Sequence, residues 1–133
     1  MRRERVTSGT DWESSAGYSR AVRAGRTISV AGTTAVDESG EPMTDADAYE
    51  QTERAIEIVG EALREVGGDL SDVVRTRLYV TEIDDWEAVG RAHGAVFGDV
   101  QPATTMVEVA SLIEPGLVVE VEAKAVVDDS DGE

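Results

Sequence analysis

Cysteine is absent from this chain, histidine occurs once and lysine once, and phenylalanine and proline are scarce. Without cysteine there is no disulfide, no thiolate metal site and no cysteine nucleophile, and a lone His93 excludes a histidine cluster. The sequence holds no apolar run approaching about 18 residues and no charged segment leading into a hydrophobic one, so no membrane span is expected and a cytoplasmic location is. Positive charge is also in short supply. With 28 acidic residues against 12 basic ones the formal charge is −16, which repels a phosphate backbone, and no local basic run offsets it; nucleic acid is not an expected partner. Arginine supplies every basic residue except Lys124, a balance that fits either a protein adapted to high salt, where self-repulsion is screened, or a merely acidic one.

What is present suits a single domain: 133 residues with 41% hydrophobic content can bury one core. In the C-terminal third, Leu117, Val119, Val121, Ala123, Ala125 and Val127 alternate with Glu120, Glu122 and Lys124, the period of a half-buried strand. One strand earlier, Thr105, Val107 and Val109 are expected on the core face. Thr104, Met106 and Glu108 then fall on the other face, and Pro115-Gly116 supplies a turn between the two runs. Residues 1 to 15 read as irregular, with Trp12 folding back onto the body or a neighbouring subunit. A hairpin is expected around Ala24-Gly25, with Thr33 to Val36 extending or starting a third strand. A helix capped by Thr44 or Asp45 should bury Ala48, Thr52, Ala55, Ile56, Val59, Ala62, Leu63 and Val66 and stop at Gly67-Gly68. Val74, Thr76, Leu78 and Val80 give the inner face of a further strand, with Arg75, Arg77 and Tyr79 outside. Asp84 and Glu87 have capping-box spacing before a second helix with Trp86, Val89, His93, Val96 and Phe97 as its buried stripe. The order predicts an α+β domain: a mixed sheet with two helices on one face and a charged opposite face, on which subunits would pack. Its expected limits are a flexible arm over 1–14, one domain over 15–127 and a disordered acidic tail over 128–133.

The pieces Gly17-Tyr-Ser-Arg-Ala-Val, Gly32, Gln51-Thr, Asp72-Val-Val-Arg-Thr-Arg-Leu-Tyr-Val-Thr, Phe97-Gly, Pro102-Ala-Thr-Thr-Met-Val-Glu-Val and Val119-Glu-Val-Glu-Ala occur in register over about residues 15 to 127. In these the chain resembles the YjgF/RidA family of reactive-intermediate imine deaminases. The resemblance implies a chorismate-mutase-like fold, a homotrimer with a small-molecule cleft between subunits, and no cofactor. In active relatives an arginine two residues after the proline of a Pro-Ala-Arg-Ser motif holds the substrate carboxylate, a glutamate in the last strand positions the hydrolytic water, and a tyrosine lines the pocket. Here Tyr18 and Glu120 keep two of these positions and Thr104 occupies the third; Gly90, His93 and Arg20 stand where asparagine, tyrosine and glutamine are usual.

The candidate site is therefore Glu120 as the catalytic residue, with Tyr18, Thr104, Thr33, Met106, His93 and Arg20 binding substrate and no metal. Each has a plainer reading. Glu120 could instead pair with Arg75, Arg77 or Lys124, Tyr18 could be a strand-start hydrophobe, His93 a satisfied core or interface histidine, Thr104 a β-branched strand residue and Arg20 a solvated cation. A threonine hydroxyl cannot replace the two charge-assisted hydrogen bonds of a guanidinium fork. The expected substrate is thus an imine, enamine or related C=N compound other than the usual 2-imino acids. The alternatives are a non-catalytic ligand-binding or regulatory trimer and, less favoured by charge, an endoribonuclease.

Overall fold

The computed structural model describes residues 1–128, so the acidic tail expected over 128–133 lies, apart from Asp128, outside the described residues. Six strands and three helices follow in the order β1 (Arg3–Val6), α1 (Asp11–Ala16), β2 (Ala21–Ala24), β3 (Thr27–Thr33), α2 (Ala48–Glu65), β4 (Val73–Val80), α3 (Trp86–Phe97), β5 (Ala103–Glu108) and β6 (Val119–Val126). The strands form one mixed sheet of order β1-β2-β3-β6-β4-β5, antiparallel throughout except for β4 with β5. That parallel pair is joined by α3, the crossover that two parallel neighbours need. This is the expected α+β architecture.

Helix α2 buries the predicted stripe of Thr52, Ala55, Ile56, Val59, Ala62 and Leu63. Opposite it lie Ile28 and Val30 of β3, Leu78 and Val80 of β4 and the odd-numbered residues of β6, with Val89 and Phe97 of α3 closing the same core. All the packing is on one face of the sheet. The other face carries Glu120, Glu122 and Lys124 of β6 beside Arg77 and Tyr79 of β4, as the period of two in β6 requires.

Several local expectations are corrected. Residues 1–15 are not an irregular arm: Arg3–Val6 pairs with β2, Val6 is buried in the core, and α1 follows. Four residues with three charges carry little strand signal, and an edge strand tolerates such charges. Trp12 does not fold back onto the body but is 62% exposed on α1. The cap of α2 is Asp47, in a reciprocal box with Glu50, rather than Thr44 or Asp45, because Met43 and Ala46 are committed to a turn by Met43 N–H to Ala35 O and Ala46 N–H to Met43 O. Asp84 makes no box either; Asp85 precedes α3 without a side-chain cap, and Trp86 and Val96 face outward while Ala92 joins Val89 and Phe97 inside. In β4 an irregularity between Val73 and Arg75 buries Val73 and exposes Val74.

The largest correction concerns β5. It pairs with β4, and in the register Thr76 to Thr104, Leu78 to Met106 and Val80 to Glu108 it turns Thr104, Met106 and Glu108, expected on the opposite face, toward the helices. Met106 packs against the core, and Val107, expected inside, is exposed. The long segment between β5 and β6 is pinned instead by Gln51 of α2. Its Nε2 donates to Ala46 O and Gly116 O, both at 3.0 Å, and its Oε1 accepts from Val118 N–H at 2.9 Å.

Candidate functional site

On the open face, β6 and β4 lie side by side with Tyr79 opposite Glu120 and Arg77 opposite Glu122. The two glutamates, two residues apart and on one face by strand periodicity, have different surroundings. Glu122 accepts a hydrogen bond from the Tyr79 hydroxyl at 2.7 Å and pairs with the Arg77 guanidinium at 3.2 Å. The carboxylate at the end of the Tyr79 hydroxyl, with burial and its negative charge in support, pushes the phenol's pKa above its usual value. Arg77 is thereby committed to Glu122, and among the described residues no ion pair joins Glu120 to Arg75, Arg77 or Lys124. Among the described residues none donates a hydrogen bond to the Glu120 carboxylate.

Glu120 is half-buried, and burial, with the Glu122 charge adding to it, raises its pKa above the ordinary glutamate value; the Arg20 charge acts in the opposite direction. Arg20 is held in place by donating to Gly32 O at 3.2 Å and to Thr33 Oγ1 at 2.9 Å. Thr33 is buried and passes its own proton to Ala31 O at 2.8 Å, so its hydroxyl orients Arg20. Beneath the carboxylate lies Gly32, where a β-carbon would come within 2.0 Å of Glu120 Oε2. A glycine inside a strand marks close approach of another group, and here that group is the candidate catalytic carboxylate. The mouth in front of Glu120 is an open hollow of about 220 Å³ formed with Tyr79, Val109, Ser111, Leu112 and Glu122.

A second polar cluster lies on the helix-covered side. Thr76 of β4 places its hydroxyl 2.8 Å from His93 Nε2 of α3 and 2.8 Å from Thr104 Oγ1 of β5, and Thr104 Oγ1 is 3.1 Å from Pro102 O. Thr76 is fully buried and Thr104 is exposed at the sheet edge. Burial depresses the His93 pKa, and the Phe97 ring packs 4.7 Å away, so the neutral imidazole is favoured near neutral pH.

The structure thus brings Glu120, Arg20 and Thr33 together and gathers Thr104 with His93, but within one chain the two groups are on opposite faces of the sheet. Tyr18, which is exposed, lines a separate hollow with Thr10, Asp11, Glu13 and Ser14. Met106 is at the core margin. Sequence reasoning missed Gly32 as a cradle, Tyr79 and Arg77 as the holders of Glu122, and Thr76 as the link between His93 and Thr104. Glycine in a strand was a signal for the first; the rest needed the strand register. No described residues form a group of three or more His, Asp or Glu placed to hold a metal ion.

A mixed six-stranded sheet with helices on one face and a carboxylate-bearing opposite face defines the class as an α+β domain of the chorismate-mutase-like kind. The chain belongs to the Endoribonuclease L-PSP family, that is, the YjgF/RidA family, which it matches over residues 9–127. It is 43% identical over 122 residues to an uncharacterized protein of Streptomyces coelicolor, covering 91% of this chain and 90% of that one. It is 32% identical over 109 residues to the 2-iminobutanoate/2-iminopropanoate deaminase of Mus musculus, with 82% and 80% covered. A crystal structure of a YjgF/YER057c/UK114 family member from Mycobacterium tuberculosis superimposes with a TM-score of 0.86 at 48% identity, covering 95% of this chain and all of that one.

Proposed function

We propose that this protein is a homotrimeric hydrolase of C=N bonds in a small imine or enamine, with the site built between subunits. The observation that carries this reading is Glu120: a half-buried carboxylate with a raised pKa, seated over Gly32 and given no hydrogen-bond donor by any described residue. Such a group is free to take a proton from a water and direct it at an electrophilic carbon. Arg20, tethered by Gly32 and Thr33, stands close enough for its charge to act on Glu120 and favours the ionised form needed for that step.

Assembly is part of the proposal. The Thr104 and His93 group can face Glu120 only if it comes from a neighbouring copy, which is the arrangement the family resemblance implies. Thr104 offers no cation to a substrate carboxylate, so the usual 2-imino acids are not its substrates, in contrast to the 2-iminobutanoate/2-iminopropanoate specificity by which the mouse relative is known. That same absence favours the second reading, a trimer that binds a ligand without turning it over.

The test is hydrolysis of 2-iminobutanoate generated in situ, comparing the parent with Thr104→Arg and with the double variant Thr104→Arg, Glu120→Gln. We expect negligible turnover by the parent, turnover in the arginine variant, and loss of at least about a hundredfold when Glu120 is also replaced, the scale of a positioned general base. Silence in all three would leave the ligand-binding reading standing and sink the hydrolase.

A further inference from the structure

The geometry points to a hydrogen-bond-accepting end wall: Thr104, oriented by Thr76 and His93, selects a ligand whose far end donates a hydrogen bond, such as a primary carboxamide, over one that ends in a carboxylate. This rests on the cleft reading above, since Thr104 reaches Glu120 only across a subunit boundary.

Three contacts link four groups: His93 Nε2 to Thr76 Oγ1 at 2.8 Å, Thr76 Oγ1 to Thr104 Oγ1 at 2.8 Å, and Thr104 Oγ1 to Pro102 O at 3.1 Å. Pro102 O can only accept, and each hydroxyl owns one proton. If neutral His93 carries its proton on Nδ1, two hydroxyl protons must serve three contacts and one contact is left as facing lone pairs. If the proton is on Nε2, the chain runs in one direction without a gap, from His93 to Thr76 to Thr104 to Pro102 O. Thr76 is wholly buried and must keep both of its contacts, so in the first arrangement the gap falls at the exposed Thr104–Pro102 O contact, whereas the second makes all three contacts hydrogen bonds and is the arrangement the end wall rests on.

Its consequence appears at the exposed end. Thr104 Oγ1 accepts from Thr76 and gives its own proton to Pro102 O, which leaves one lone pair toward the outside and no donor. A guanidinium at this position would present only donors, so the hydrogen-bonding sense of the wall is reversed. Arg91, two residues before His93 on α3, is turned over the Tyr49 ring. His93 acts here as a positioning residue, setting the direction of both hydroxyls without touching the ligand.

Because His93 is the sole histidine, its imidazole nitrogens give a single, unambiguous set of nitrogen NMR signals in the full chain. The first arm is the free protein above its histidine titration: the Nε2–H tautomer is expected, and a dominant Nδ1–H tautomer overturns the proposal. The second arm titrates 2-oxobutanamide and 2-oxobutanoate while following the same signals. The amide should perturb them and bind about tenfold or more tightly than the carboxylate, and Thr104→Val, which keeps the β-branched shape, should abolish the preference. Equal or tighter binding of the carboxylate at His93, or no response to either compound, overturns the wall. Binding that is lost in Glu120→Gln yet leaves His93 unmoved sinks the wall but keeps the cleft. An amide response in a protein that sediments as a monomer keeps the wall and sinks the cleft.

Discussion

At the scale of single residues, the site depends on what Glu120 is denied. Its partner on the strand, Glu122, takes the Tyr79 hydroxyl and the Arg77 guanidinium, and Glu120 is left half-buried with no donor among the described residues. A carboxylate whose pKa is raised by folding adds stability while it is protonated; that contribution is lost as pH rises through its folded pKa. At neutral pH Glu120 therefore opposes folding, and Glu120→Gln should raise the melting temperature at pH 7 relative to the parent while removing turnover in the Thr104→Arg background, a conflict common at working sites. If the Gln variant melts at the same temperature at pH 7 and the gap does not open as pH is raised from acid, the raised pKa is wrong. Gly32→Ala tests the cradle. The new methyl must push the carboxylate aside, since 2.0 Å is far inside contact distance, and the expected result in the Thr104→Arg background is a folded protein with Glu120-dependent turnover reduced about tenfold or more, as for a misplaced catalytic group. The single histidine has the opposite sign: its depressed pKa means that stability is intact above 6.5 and is lost as pH falls below that value through the folded pKa.

At the scale of elements, the tie from α2 to β6 decides where Glu120 enters the sheet. Gln51 is buried and uses both its donors and its acceptor on backbone groups at Ala46, Gly116 and Val118, with Gly116 in the left-handed region that makes the turn. Replacing it with leucine leaves those groups to find other partners, and a loss of about 2 kcal/mol or more in denaturant unfolding is expected. A loss under about 0.5 kcal/mol would mean that water takes over the role. Elements also mark the limit of pattern reading. The α2 stripe was legible because helical periodicity names a face and only one element was available to cover it. Alternation in β5 was equally clean, yet it names two faces without saying which is inside, and the turn residues after it do not say which strand β5 pairs with. Once β5 pairs in parallel with β4 through the α3 crossover, Met106 lies beside Leu78 and the assignment inverts. The Thr76–Thr104 contact follows from the same register and had no signature in either strand alone.

At the scale of the whole molecule, the chain leaves a charged sheet face open and splits its candidate site between two sides of that sheet. Both facts favour a closed assembly of like subunits, and sedimentation in molar salt should give three times the mass of the 133-residue chain; a monomer at micromolar concentration would contradict it. With a formal charge of −16, lowering the salt should weaken that assembly through repulsion between subunits, visible as dissociation at low ionic strength. The amino-acid sequence by itself determined the α+β class, the main helix, the face of β6 that bears Glu120, and the family, because these depend on local periodicity and on motifs contiguous in the chain. The tertiary structure alone decided that Arg77 and Tyr79 serve Glu122, that Gly32 makes room for Glu120, and that Thr104 joins His93 through Thr76. Each of these is a contact between strands or between a strand and a helix, and which residues meet there is settled by register and crossover, quantities that no single segment encodes.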